Sequence, residues 1–223
     1  MKLVAISDTH GQQPKIPECD LLVHCGDFSD MRDHSVPHQK LYFYKTFLPW
    51  LASLPAKQIA FVAGNHDFWA HTLYLTDTEW KLREALPSHI HYLRDDSVTI
   101  DGLLIYGTPW VPTLVDWAFY LAPNDAKKQY ESMPSGADIV LSHGPPKHSC
   151  DSILEHGRHD PLGSHYLRDR IIETSPHYVF CGHIHSCLHE WDAVKMDLRS
   201  RVRNVSVLDE SYKLAYEPFE MEI

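Results

Sequence analysis

Five short stretches place Asp, Asn or His directly after an apolar run. Asp8 and His10 follow "LVAI" in "SDTHG". Asp27 and Asp30 follow "LLVHC" in "GDFSD". Asn65, His66 and Asp67 follow "IAFVA" in "GNHD". His143 follows "DIVLS" in "HGPP", and His183 and His185 follow "YVFC" in "GHIH". Each stretch alone reads more readily as a polar turn, a loop or a helix cap. All five at the same sense of strand end are harder to explain that way, because α/β sheets bind ligands beyond the carboxyl ends of their strands. If the last strand continues through "GHIH", its period of two points His183 and His185 the same way. Two imidazoles so placed suit a metal or a surface turn.

The donor types narrow the metal. Asp, Asn and His without a converging cysteine suit borderline divalent ions: Mn²⁺, Fe²⁺, Zn²⁺, Ni²⁺ or Co²⁺. Seven candidate ligands exceed what one ion with open positions needs. They suit two ions sharing a carboxylate, at a separation of about 3.5–4 Å.

Such convergence needs strands. Apolar runs of strand length lie at 3–6, 21–23, 59–63, 139–141, 178–180 and 202–207. Several are rich in Val and Ile without alternation, as in strands covered on both faces. "SVTIDGLLIY" reads as a hairpin turning at Asp101-Gly102. Helical patterns cover 38–54, which Pro49 must kink or split, and 77–86, 124–131 and 164–173. "GTPWVPTLVDWAFYLAP" reads as a long aromatic loop. Alternating strands and helices with an antiparallel hairpin predict an α/β domain with mixed sheets. No repeat or flexible linker divides the chain, so residues 1–223 read as one domain.

Taken in order, Asp-x-His, Gly-Asp, Gly-Asn-His-Asp, His-Gly and Gly-His-x-His resemble the calcineurin-like metallophosphoesterase superfamily. "ISDTHG", "GTPW", "DWAF", "SHGPP" and "GHIH" resemble its branch of small metallophosphoesterase-domain proteins close to the class III cyclic-nucleotide phosphodiesterases. The resemblance spans the chain and implies a four-layer α/β/β/α sandwich of two mixed sheets flanked by helices. It implies that Asp8, His10, Asp27 and His185 hold a first ion. Asp27 bridges to a second, held also by Asn65, His143 and His183. His66 is then the acid outside the metals, and Asp30 the residue that orients it. Mn²⁺ is the first choice, with Fe²⁺, Zn²⁺, Ni²⁺, Co²⁺ or Mg²⁺ as alternatives. The expected activity is hydrolysis of a nucleotide-type or other small phosphodiester by metal-activated water. A phosphomonoesterase on the same site is the alternative, and a non-catalytic scaffold a third reading.

Two features depart from the Ser/Thr protein phosphatases of the superfamily: Asp30 is followed by Met31-Arg32, and the third motif ends in Asp67. "GHIHSCLHEW" also lacks the glycine-rich continuation of the nearest branch. Phe68, Trp69, Trp110 and Trp117 fall near the site and could stack on a base or pack a core. Cys25 and Cys181 precede ligand motifs and read as small buried hydrophobes.

Composition sets the outer bounds. A net charge of −10 disfavours stable nucleic-acid binding and anionic membranes. No apolar run reaches membrane-span length, and "MKLVAISDTHG" lacks signal-peptide architecture. Five cysteines without a CxxC pair suit free thiols in a reducing cytoplasm. Of 17 histidines, His34, His38, His89, His148, His156 and His159 sit in polar stretches and read as solvated.

Overall fold

The computed structural model describes all residues except Thr113, His156, Gly157, Lys195 and Met196. Five strands form a first sheet: β1 (Lys2–Ile6), β2 (Cys19–Cys25), β3 (Ala56–Val62), β4 (Ile90–Tyr92) and the last strand of the chain, β13 (Phe219–Glu222). Their order is β13-β1-β2-β3-β4, with β13 antiparallel to β1 and the rest parallel. A second sheet contains β5 (Asp96–Ile100), β6 (Leu103–Thr108), β7 (Ile139–Ser142), β10 (Tyr178–Cys181), β11 (Asp192–Val194) and β12 (Asp197–Asn204). Its order is β11-β12-β10-β7-β6-β5, antiparallel at both edges and parallel between. Both sheets are therefore mixed. A separate hairpin pairs β8 (Ser152–Glu155) with β9 (Arg158–Pro161).

The strand period of two explains the layers. Leu3 and Ala5, Leu21 and Val23, and Ala60 and Val62 meet Ile105, Ile139, Leu141 and Phe180 between the sheets. The alternate residues face outward to helices. Val4, Ile6, Leu22 and Phe61 share a core with Phe43, Phe47 and Leu51, and the same core includes Val140, Val179, Leu167 and Ile171. Strands buried on both faces carry unbroken apolar runs for this reason. The result is a four-layer α/β/β/α sandwich of two mixed sheets flanked by helices.

Helices occupy Val36–Tyr42 (α1), Leu48–Ser53 (α2), Phe68–Leu75 (α3), Trp80–Ala85 (α4), Pro123–Tyr130 (α5) and His165–Thr174 (α6). A π-helical turn, Phe43–Phe47, joins α1 to α2 immediately before Pro49. Pro49 has no N–H to donate, and the wider turn accommodates that break without ending the rod. The Asp101-Gly102 turn has φ of 48° and 87°, the left-handed pair expected of a type I′ hairpin. Two expectations shift. The 77–86 helix shortens to α4, while α3 forms where the sequence shows no helical stripe. The 202–207 strand ends at Asn204, whose side-chain oxygen accepts the Ser206 N–H at 2.9 Å and turns the chain out of the sheet. Ser206 then bridges to Ser7 beyond β1.

Candidate metal centre

The first sheet presents its motifs beyond β1, β2 and β3, and the second beyond β7 and β10. The backbone bends sharply there. Asp8, His10, Asp27 and His183 have φ of 55°, 43°, 55° and 69°. Left-handed geometry costs a non-glycine residue on the order of 1–3 kcal/mol. Hydrogen bonds hold it in place: Asp8 N–H donates to Gly26 O at 2.9 Å, and His10 N–H to Asp27 O at 3.0 Å. Gly26, at φ 100°, is required by contact as well as by conformation. A Cβ there would lie 2.6 Å from Ala63 O and 2.7 Å from the His143 ring.

Three overlapping groups of side chains bring donor atoms within 4.8 Å of one another: Asp8, His10 and His185; His10, Asp27 and His66; Asp8, Asp27 and His143. Asp27 Oδ2 lies 3.3 Å from His143 Nε2, 3.5 Å from His10 Nε2 and 4.0 Å from His66 Nε2. Asp8 Oδ1 lies 3.4 Å from His185 Nε2. Asn65 Oδ1 joins at 2.9 Å from His143 Nε2. The His183 ring stands 5.2 Å from that of His143, and the His183 backbone N–H donates to Asp8 Oδ1 at 3.0 Å. Thus the expected ligands are brought together, with His183 placed by its ring beside His143 rather than in one of the three donor groups, but not by strand alternation. β10 stops at Cys181, and the left-handed turn at His183 delivers the two imidazoles.

Two tautomers are fixed by carbonyls, which can only accept. His143 Nδ1 donates to Cys25 O at 2.8 Å, and His185 Nδ1 donates to Asp209 O at 3.0 Å. Each leaves Nε2 facing the carboxylates, as a metal ligand requires. Both nitrogens of His10 are buried without a hydrogen-bond partner. An orphaned imidazole beside Asp8 and Asp27 fits a divalent cation well.

The electrostatics agree. Burial raises the pKa of Asp8, but His185 and His143 pull it below the ordinary carboxylate range. Burial likewise raises Asp27, and His143, His66 and His10 outweigh it. Burial lowers His143 and His185, yet the carboxylates beside them push both up to about 9. Burial dominates at His10 and His183, which fall to about 4 and about 3. His143 and His185 thus hold protons where a metal would bind.

Asp30 departs from its expected role. It accepts from Arg32 Nε at 2.9 Å and lies 2.8 Å from His38 Nε2. Among the described residues no hydrogen bond joins it to His66. His66 Nδ1 instead faces His34 Nε2 at 3.4 Å. His34 and His38, expected in solvent, are both half-buried here; the side chains of His156 and His159 fall outside the described residues. The aromatic candidates also divide. Trp69 and Trp110 are core residues, 3% and 1% exposed. Trp117 stands 4.5 Å from the His66 ring, and Phe68 stacks on His34 at 5.5 Å.

Sequence reasoning missed three organising groups. Asp67 is buried and accepts N–H bonds from Asp27, Ser29 and Gly64 at 3.0, 2.9 and 2.7 Å, tying two ligand loops together. Burial and the Asp27 charge push its pKa up to about 7. Asn204 Nδ2 donates to Gly182 O and Ile184 O at 3.2 and 2.9 Å, pinning the histidine turn. Tyr212 packs against the His10 and His185 rings at 5.1 and 5.4 Å. Only Asp67 carried a signal, as the fourth residue of "GNHD".

Two outcomes follow. Asp67→Asn exchanges one accepting oxygen for a donor facing backbone N–H groups. It should cost about 1–3 kcal/mol in urea unfolding and weaken metal retention; unchanged stability and metal content would contradict the tie. Metal binding near pH 7 must displace the protons on His143 and His185. Their raised pKa means that apparent metal affinity should climb as pH rises toward about 9. Calorimetry in buffers of different ionisation enthalpy should register proton release; no release at pH 7 would contradict it.

The geometry has counterparts in known proteins. The calcineurin-like phosphoesterase family model matches residues 1–187. Metallophosphoesterase domain-containing protein 1 of Homo sapiens is 28% identical over 243 aligned residues, covering 100% of this chain and 71% of that protein, and the Mus musculus protein matches equally. Among solved structures, TT1561 of Thermus thermophilus superposes with a TM-score of 0.61 at 17% identity, covering 96% of each chain. GAP50 of Plasmodium, described as the anchor in the inner membrane complex, superposes at 0.51 and 12% identity, covering 93% of this chain and 71% of that one. The family implies divalent metal ions and phosphoric ester hydrolysis, in keeping with the clustered donors. This chain belongs to the calcineurin-like phosphoesterase family.

Proposed function

We propose that the chain is a two-metal phosphodiesterase acting on a nucleotide-type or other small diester, and that residues 1–223 form one domain. The carrying observation is Asp27, whose Oδ2 is faced by His143 at 3.3 Å and His10 at 3.5 Å. A carboxylate approached from two sides suits a bridge. Asp8, His10 and His185 complete one ion's donors, and Asn65, His143 and His183 the other's. Mn²⁺ is the first choice on donor chemistry. Bound divalent ions would polarise the phosphoryl oxygens and acidify a water.

The side chains supply the rest. Asn65 turns its oxygen to His143, leaving its amide nitrogen to touch a phosphoryl oxygen. His66 is fixed by its N–H bond to Asp27 Oδ1 at 2.8 Å. In this allotment its ring is free to protonate the leaving oxygen. His34, rather than Asp30, holds its Nδ1 side. Trp117, Phe68 and His34 form an aromatic cluster beside His66, with only His34 and Phe68 stacked, and it supports a leaving group carrying a planar ring. The net charge of −10 argues against a nucleic-acid polymer. Five unpaired thiols support a reducing, cytoplasmic setting.

The leaving group tests this reading. A nitrophenolate departs without a proton, whereas a ribose alkoxide needs one. His66→Ala should slow a nitrophenyl diester modestly and a cyclic nucleotide or dinucleotide toward the upper part of the 10²–10⁴-fold range, roughly, for lost acid catalysis. His34→Ala should follow the same pattern more weakly, and Asp30→Asn should leave the ratio unchanged. Equal losses in kcat/KM on both substrates would overturn the acid role. Faster hydrolysis of a nitrophenyl monoester than of the matching diester would overturn the diester preference.

A further inference from the structure

Three thiols that take no part in the metal centre meet beside it. Cys150 lies on the chain beyond His143, Cys181 ends β10, and Cys187 closes the turn bearing His183 and His185. Cys150 and Cys187 line one cavity, and the Cys150 thiol lies near enough to Cys181 and Cys187 for each to shift the other's ionisation. All three are unpaired.

Their surroundings differ. Cys181 is fully buried, with Sγ 3.6 Å from Arg203 O. Cys150 and Cys187 line a cavity of about 280 Å³, together with His148, Asp151, Leu188 and Trp191. That space exceeds several water volumes, each about 30 Å³ in the liquid, so a molecule the size of hydrogen peroxide fits. No expected metal ligand lines it.

We propose that Cys150 and Cys187 are an oxidative modification site, forming a reversible disulfide at the cavity wall when peroxide enters. The Cys150 thiolate attacks one peroxide oxygen; the O–O bond breaks, water leaves, and Cys150 becomes a sulfenic acid. The Cys187 sulfur then attacks the Cys150 sulfur; the S–O bond breaks and a second water leaves. Two thiols lose two hydrogens and one peroxide becomes two waters. Hydrogen bonds from the Cys181 and Cys187 thiols favour the Cys150 thiolate. Cys181 lies outside the cavity lining, whereas Cys187 shares it with Cys150, which selects Cys187 as the partner. The new bond ties the chain beyond His143 to the histidine turn.

The first arm of the test uses the unaltered protein. Full-length reduced protein is treated with hydrogen peroxide, alkylated under denaturing conditions and mapped by mass spectrometry. Alkylatable thiols should fall from five to three, a Cys150–Cys187 peptide pair should appear, and dithiothreitol should reverse it. In Cys187→Ser, dimedone should trap Cys150 as a sulfenic acid. Five thiols unchanged, a pair that includes Cys181, or irreversible oxidation of Cys150 without a pair would each overturn the proposal.

Discussion

Two carboxylates, Asp8 and Asp27, are buried side by side, 0% and 2% exposed. Removing such charges from water costs several kcal/mol each unless positive groups or hydrogen bonds answer them. Much of the local structure is that answer. His143 and His185 are drawn toward imidazolium, and His183 and His66 direct backbone N–H groups at the carboxylates. A divalent cation would replace the imidazolium charges without demanding that the loops move. The same constraint explains Gly182, whose missing side chain is where Asp8 lies.

How much of this the sequence carried varies by feature. The five apolar runs and their polar ends were legible because parallel strands buried on both faces have unbroken apolar sequence, and because Asp, Asn and His are costly at strand ends without a purpose. The hairpin was legible from Asp101-Gly102. α3 was not, since "FWAHTLYL" is apolar nearly all round and carries no stripe. The edge strands β4, β11 and β13 are too short or too polar to stand out. The Asp30 assignment followed a motif. Here the neighbouring Arg32, which sequence spacing placed but could not orient, and His38 take that carboxylate.

Residues beyond the recognised motifs complete the centre. Asp209 fixes the tautomer of His185 through its backbone carbonyl, so its side chain gives no clue to this role. Asn204 holds two carbonyls of the histidine turn. β13 closes the first sheet against β1, the strand that ends in the Asp8 loop. The site thus draws on both the first strand and residues 204–223, and its motifs would lack these supports without that last segment.

The central claim is that Asp27 joins two ions in one centre. Electron paramagnetic resonance of the Mn²⁺-loaded protein reads this directly, because ions about 3.5–4 Å apart couple their spins. Wild-type protein at saturation should give a coupled-pair spectrum, and Asp27→Ala should lose it. A wild-type spectrum of isolated Mn²⁺ at saturation, with full activity, would contradict the bridge.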